Sequence, residues 1–505
     1  MNNKSIKNVV TSLVYKIVAC VVGLLIPRLF IISYGSELNG LQSSIGQFFT
    51  YIALIEAGVG EVTLQSLFNP IAEKKYQKCN EILSATTIYY NRIGGLYLTI
   101  LLGFAFLYPV VIQVESVPYT TVVCYIIFSG LVNGLNFFFQ AKIILVLQAS
   151  GEMYINNLVT MGVYCLTSAI KIGCIMLGLN IVFIQVGFFL ANICGTFIYY
   201  IVVKKKFSWL NFKAEPDMGA IEQRNAALVH KISGLVFQNT DIIILSFFCG
   251  LKVVSIYTMY KLVINMITTV IASFADSVNH VFGQTYNGKS LEEYCRKIDA
   301  FNVLYSSLAF ALFTITSILI IPFLQIYTKG MDQNYIYPLL PFLYISIEVL
   351  QVGREAMLRT ITVAGHFQKT IYAAIIETAI NLVVSISAVI IFKKLWGETA
   401  GLFGALLGTI AALMYRTIDI NRYANHNILM RKAWKSNKLI LTNIAIYIFI
   451  GFVLRRVELN VNTYLQLIGY GLVLTVVIVP LYLIIQLLIN KKEAKDVLDV
   501  VLKKR

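Results

Sequence analysis

The stretch "KVVSIYTMYKLVINMITTVIASFADSVNHVF", residues 252–282, decides the fold through what it precedes. Directly after it, "GQTYNGKS" at 283–290 fits the phosphate-loop pattern G-x-x-x-x-G-K-[ST] letter for letter. Such a loop needs a short buried strand before it and a helix after it, so that backbone amides converge on the phosphates. Here the upstream run is mostly apolar over 31 residues, too long for a strand and long enough to cross a bilayer. Downstream, Ser290 with Glu293 three residues on reads as a helix N-cap with a capping box, and Asn287-Gly288 reads as a turn. A turn and a cap account for all eight letters, so no ATP is expected to bind.

Composition agrees with a membrane reading. Of 505 residues, 58% are hydrophobic and 13% charged, and mean hydropathy is +0.75; these values exclude a soluble protein and imply a polytopic, all-α membrane protein. Fourteen apolar runs, from 10–33 to 463–489, are each long enough to span. The first follows Lys4 and Lys7 without a small-residue cleavage site and reads as a retained helix. With the N-terminus placed inside, the inner segments hold 25 of the 41 Lys and Arg and the outer loops hold six, which predicts two cytoplasmic termini. Most of the net charge of +16 is this asymmetry; it favours anionic membrane lipids and gives no case for nucleic acid. Eight cysteines are scattered singly, with no CxxC or Cys/His cluster, so reduced thiols and no metal site are expected.

The longest inner connection, "KKKFSWLNFKAEPDMGAIEQRN" at 204–225, divides the chain. The predicted organisation is a lobe of six helices over 1–203, this cytoplasmic loop, and a second lobe of six helices over 226–422. A trailing helix pair with its preceding loop occupies 423–490, and a basic cytoplasmic tail 491–505. Within "GLFGALLGT", 401–409, Gly404 and Gly408 keep the small-xxx-small spacing that lets helices approach closely.

Charges inside the spans carry most of the functional information, because each costs about 2.5–3.5 kcal/mol at a helix centre unless water or a partner receives it. The cations are Lys16, Arg28, Arg92, Lys142, Lys171, Lys231, Lys261, Arg354, Arg359 and Arg416; the clearest acids are Glu56, Glu61, Asp241, Asp276, Glu348, Glu355 and Glu377. Lys261, Asn265, Thr269, Asp276 and His280 recur at helical steps on the eighth span, and Glu348, Gln351, Glu355, Arg359 and Thr362 on the tenth. The seventh adds Lys231, Gln238 and Asp241. Such stripes face either a wet interior or one another as buried pairs. The excess of cations over acids favours a hydrated, somewhat cationic cavity, where arginine's planar fork suits phosphate. Lys16 and Arg416, near span ends, can instead snorkel to the interface.

At these residues the chain resembles a known family. "PRLFIISYGSELNGL" with "IEAGVGEVTLQSLFNPIAEKKY" is similar to the opening of bacterial oligosaccharide flippases of the Wzx type, in the multidrug/oligosaccharidyl-lipid/polysaccharide (MOP) exporter superfamily. "NTDIIILSFFCG" followed by Tyr257 resembles the start of that family's second lobe, and "REAMLRTITVAGHFQKTIYAAIIETAIN" with "GLFGALLGT" its tenth to twelfth helices. The resemblance implies a MATE-like V of two six-helix bundles plus two C-terminal helices. It implies movement of undecaprenyl-diphosphate-linked oligosaccharide across the bacterial cytoplasmic membrane for surface polysaccharide synthesis. The positions that fit its substrate-binding basic residues are Arg28, Arg92, Lys142, Lys261, Arg354 and Arg359. Glu56, Asp241 and Asp276 are candidates for coupling to a proton or sodium ion, with no other cofactor expected. A polysaccharide polymerase and glycosyltransferases are the expected protein partners.

Acids nearly as numerous as cations within the spans depart from this pattern and leave open a multidrug/cation antiporter of the same fold. A membrane glycosyltransferase or polymerase is the third reading. Its catalytic acids belong on sizeable outer loops, and here those loops carry little beyond Glu37, Glu115, Asp332, Glu398 and Glu458.

Overall fold

In a bilayer every backbone polar group must be satisfied within the chain, and helices do this segment by segment. The computed structural model of the protein is accordingly helical, with no strand among the described residues, which are 3–53, 59–221, 240–277, 282–283, 285–286, 290–366, 368–454 and 461–491. Eleven of its helical segments are long and apolar enough to cross a membrane. By packing, the chain divides into two units, 1–255 and 256–505.

In the first unit, α1 (Asn3–Ile52) joins the first two predicted spans. They are separated by one sharp turn at Gly35, where φ 86° and ψ 165° suit a residue without Cβ. Next come α2 (Val59–Ala72), α3 (Tyr76–Val111) and α4 (Tyr119–Leu135). A π-helical turn at Asn136–Gln140 leads into α5 (Ala141–Ala149), and α6 (Met153–Met176) and α7 (Ile181–Lys206) follow. Val9, Leu13, Ile17, Val21 and Leu25 on α1 are all exposed at steps of four, a stripe made for lipid. The opposite side of α1 packs on α6, while α7 packs on α4 and α6.

The loop after α7 is tied down. The Asn80 side chain donates to the Trp209 carbonyl (2.9 Å) and accepts from the Asn211 amide (3.0 Å), Trp209 stacks on Tyr76, and Lys78 pairs with Asp217 at 2.8 Å. Residues 207–221 thus form a strap over the ends of α2 and α3.

Residues 240–248 are helical and belong to the first unit, as does the start of α8 (Leu251–Ser277), where Asn39 donates to Ser255 at 2.9 Å. The rest of α8 opens the second unit. It continues with α9 (Leu291–Tyr327), α10 (Leu340–Val363), α11 (Ile371–Trp396), α12 (Gly401–Asn427), α13 (Trp434–Leu454) and α14 (Tyr464–Ile489). Residues 284 and 287–289 of the phosphate-loop-like stretch lie outside the described residues. The predicted cap is present: the Ser290 hydroxyl accepts the Glu293 amide at 3.3 Å and starts α9.

Helix α10 packs between α9 and α12, and α13 and α14 lie on α9, held by Thr314 to Tyr482 (2.9 Å) and by a buried amide bond from Gln486 to Asn443 (2.9 Å). Helices α11 and α12 approach closely. A Cβ at Gly404 would come within 2.6 Å of the Ala388 backbone, and one at Gly408 would run into Ser385. Gly408→Leu is therefore expected to cost about 1–3 kcal/mol through overpacking, read as a lower melting temperature of the purified protein. Asn80→Ala is expected to speed amide exchange across 207–213 while leaving α11 and α12 unchanged.

Candidate functional site

The first unit contains a half-open cavity of about 840 Å³ lined by α1, α4, α6 and α7, with Gly60 of α2 at its edge. On α6 its lining follows helical spacing: Tyr164, Thr167, Ser168 and Lys171 stand at i, i+3, i+4 and i+7, one face of one helix. Gln42 and Thr50 come from α1, Ser129 and Asn133 from α4, and Gln185 from α7.

Many of these groups are held in place by the protein. The Ser168 and Thr167 hydroxyls donate to the Tyr164 carbonyl (2.6 and 2.9 Å), and Ser129 donates to the Tyr125 carbonyl (2.7 Å), which leaves oxygen lone pairs toward the space. Gln185 lies beside the Tyr125 hydroxyl and Asn133 beside that of Tyr97, which donates to the Gly130 carbonyl at 2.9 Å.

Lys171 is the charged side chain of this lining among the described residues. Its ammonium donates to Gln42 Oε1 at 2.8 Å and lies 4.2 Å from the centre of the Phe30 ring. Among the described residues this ammonium is held by an amide oxygen and an aromatic face and by no carboxylate, so no opposite formal charge is paired with it.

The second unit treats its charges differently. Arg354 on α10 donates to Glu377 on α11 at 2.7 Å, and the same carboxylate lies 3.4 Å from Arg416 on α12. Arg416 also pairs with Asp419 at 2.6 Å and is buried rather than snorkelling. Arg359 lies 2.8 Å from Glu355 and 3.2 Å from Asp276 of α8. The carboxylate of Asp299 on α9 receives Arg431 through two bonds of 2.6 and 2.7 Å and Lys435 at 2.7 Å.

The sequence-derived positions therefore fall into separate places. Lys261, Asp276, Arg354 and Arg359 sit on α8 and α10 of the second unit; Lys261 lies 5.7 Å from the Tyr257 ring and faces Glu348 electrostatically. In the first unit Arg28 follows the lining residue Pro27, Arg92 is exposed on α3, and Lys142 lies 5.2 Å from the ring of Phe212 in the strap. Asp241 is buried beside Tyr51, whose hydroxyl bonds Thr240 at 2.9 Å. Glu56, Lys231, Gln238 and His280 lie outside the described residues. Among the described residues no group of three His, Cys, Asp or Glu could hold a metal ion.

Lys171, Gln42 and Gln185 were not singled out as binding residues by sequence reasoning. A signal existed in the 164/167/168/171 spacing of α6, the same kind of stripe read on the eighth and tenth spans.

Fold and cavity define a multi-pass helical membrane protein with a site of mixed lining, its polar groups set among apolar side chains such as Ile26, Ile45, Phe49 and Phe188. No protein-family model matches the chain, and no curated protein matches it in sequence. Its structure is similar to the lipid II flippase MurJ in an inward closed conformation, with TM-score 0.66 and 14% identity over 96% of this chain and 99% of that one. It is also similar to an inward-facing multidrug resistance MATE family transporter of the MOP superfamily, with TM-score 0.60 and 14% identity over 81% and 95%. For an outward-facing MATE transporter of that superfamily the values are 0.53 and 14%, over 84% and 94%. The chain thus has the fold shared by MurJ and the MATE transporters.

Removing Glu377 takes from Arg354 its 2.7 Å carboxylate contact and from Arg416 one of its two. Glu377→Ala is expected to destabilise the protein by about 3–5 kcal/mol, seen as a large fall in melting temperature or yield, and Lys171→Gln to lower it far less.

Proposed function

We propose that this protein is a transporter that moves undecaprenyl-diphosphate-linked oligosaccharide across the bacterial cytoplasmic membrane by alternating access, with both termini in the cytoplasm. The observation that carries the reading is the cavity of the first unit: hydrogen-bonding side chains and one ammonium at membrane depth, in a volume of about 840 Å³. Lipid does not solvate such a surface, and its groups suit sugar hydroxyls and an anion. The likeness in fold to a lipid II flippase along nearly the whole of both chains supports a lipid-linked substrate. The Wzx-like stretches point to an oligosaccharide precursor of a surface polymer.

A multidrug antiporter fits this cavity less well, because the Lys171 ammonium repels an organic cation and no carboxylate stands among the described lining residues. Of the diphosphate-binding candidates we favour Arg28, which follows the lining residue Pro27 on α1. Arg354 and Arg359 are already engaged by acids. Asp241, buried in the first unit near Tyr51, is the better placed of the described ion-coupling candidates.

Purified protein reconstituted into liposomes with a fluorescent undecaprenyl-diphosphate-linked sugar is expected to carry the label between leaflets, faster under a proton or sodium gradient. Label that stays in its original leaflet under both gradients, while an ethidium-type cation is expelled, would replace this reading with the antiporter.

A further inference from the structure

We infer that the end of the first-unit cavity nearest Gly35 receives the single carboxylate of an acidic sugar, and that the transported glycan therefore carries a uronate-type residue. This rests on the flippase reading above.

Position gives the first part. Lys171 stands five residues before the end of α6, Gln185 four residues after the start of α7, and Gln42 seven residues after the Gly35 turn. At about 1.5 Å of rise per residue, all three lie within about 6–11 Å of the same end of the unit. That end is tied together. The Tyr34 hydroxyl donates to the Leu179 carbonyl at 2.6 Å, and the Glu37 carboxylate accepts the amides of Glu115 and Ser116 at 3.0 and 2.9 Å. From there the lining runs along α1 to Ala53, eleven residues past Gln42, or about 16 Å. A glycan that enters from the opposite end, its diphosphate still at the inner leaflet, would meet Lys171 with its distal sugars first.

Charge gives the second part. Among the described lining residues there is one ammonium and no carboxylate, a balance for one carboxylate on the substrate. A diphosphate diester bears two negative charges, and at this spot one of them would stay uncompensated in a medium of low dielectric. Lysine also lacks the fork with which arginine grips a phosphate, and presents a point charge with three donors, one of which Gln42 takes. The neighbouring amides and hydroxyls match a ring bearing one acid among several neutral hydroxyls.

The test uses the full chain in liposomes and two synthetic undecaprenyl-diphosphate disaccharides, one ending in N-acetylglucosamine and one in glucuronic acid. The wild type is expected to move the acidic substrate about tenfold faster at limiting concentration, equivalent to about 1.4 kcal/mol. In Lys171→Gln that ratio should fall to about one, and Lys171→Arg should restore most of it. Equal rates in the wild type overturn the inference and leave the flippase reading standing. A Lys171→Gln variant that loses both substrates in the same proportion overturns it too, since Lys171 would then serve the shared diphosphate. If the wild type moves neither lipid, the flippase reading falls and the inference with it.

Discussion

Everything in this molecule follows from the poverty of lipid as a partner for polar atoms. A charge within the hydrocarbon layer must be met by an opposite charge, a hydrogen-bonding group or water. The two units meet this demand in opposite ways. In the second, each of Arg354, Arg359 and Arg416 lies within 3.4 Å of a carboxylate, and the interior between α10, α11 and α12 is cross-braced. In the first, Lys171 is met by a neutral amide and an aromatic face, so its field extends into an open space. One solution builds rigidity and the other builds a place for an anion.

The contrast changes what a count of buried charges means. Ten intramembrane cations against seven clear acids in the sequence pointed to surplus positive charge shared by one cavity. In the second unit Arg354, Arg359 and Arg416 are each met by acids, including Asp419, which lies near a span end and is not one of those seven. The cation that lines the described cavity is a single lysine on α6. Surplus charge is a property of places, and a whole-chain sum does not locate it.

Much of the architecture was legible because it is written locally. Apolar runs, the Ser290 cap and the Gly404/Gly408 spacing each need only a few neighbouring residues to be read, and α9 and the α11–α12 contact appear where they were expected. The span boundary at Gly35 was legible for the same reason, since the polar run SYGSELNG at 33–40 interrupts the apolar pattern where the backbone turns. The site was harder. Lys171, Gln42 and Gln185 belong to three helices up to 143 residues apart in sequence, and no local pattern says that α1, α6 and α7 converge. The pairing of Arg354 with Glu377 was hidden for the same reason: both stood in the inventory of charges, but the contact between α10 and α11 that joins them is tertiary.

Helix α10 bears Glu348, Arg354, Glu355 and Arg359 and is not among the segments apolar enough to cross on their own. During synthesis Arg354 emerges 23 residues ahead of Glu377, and Arg416 follows Glu377 by a further 39. A nascent α10 thus reaches the bilayer before the Glu377 carboxylate that Arg354 meets at 2.7 Å has been made, while Arg359 already has Glu355 on its own helix. Its partition into lipid is thereby coupled to the helices that follow, so that α10 to α12 enter as one cooperative block. The order of residues along the chain, and not only their final contacts, governs how this unit is assembled.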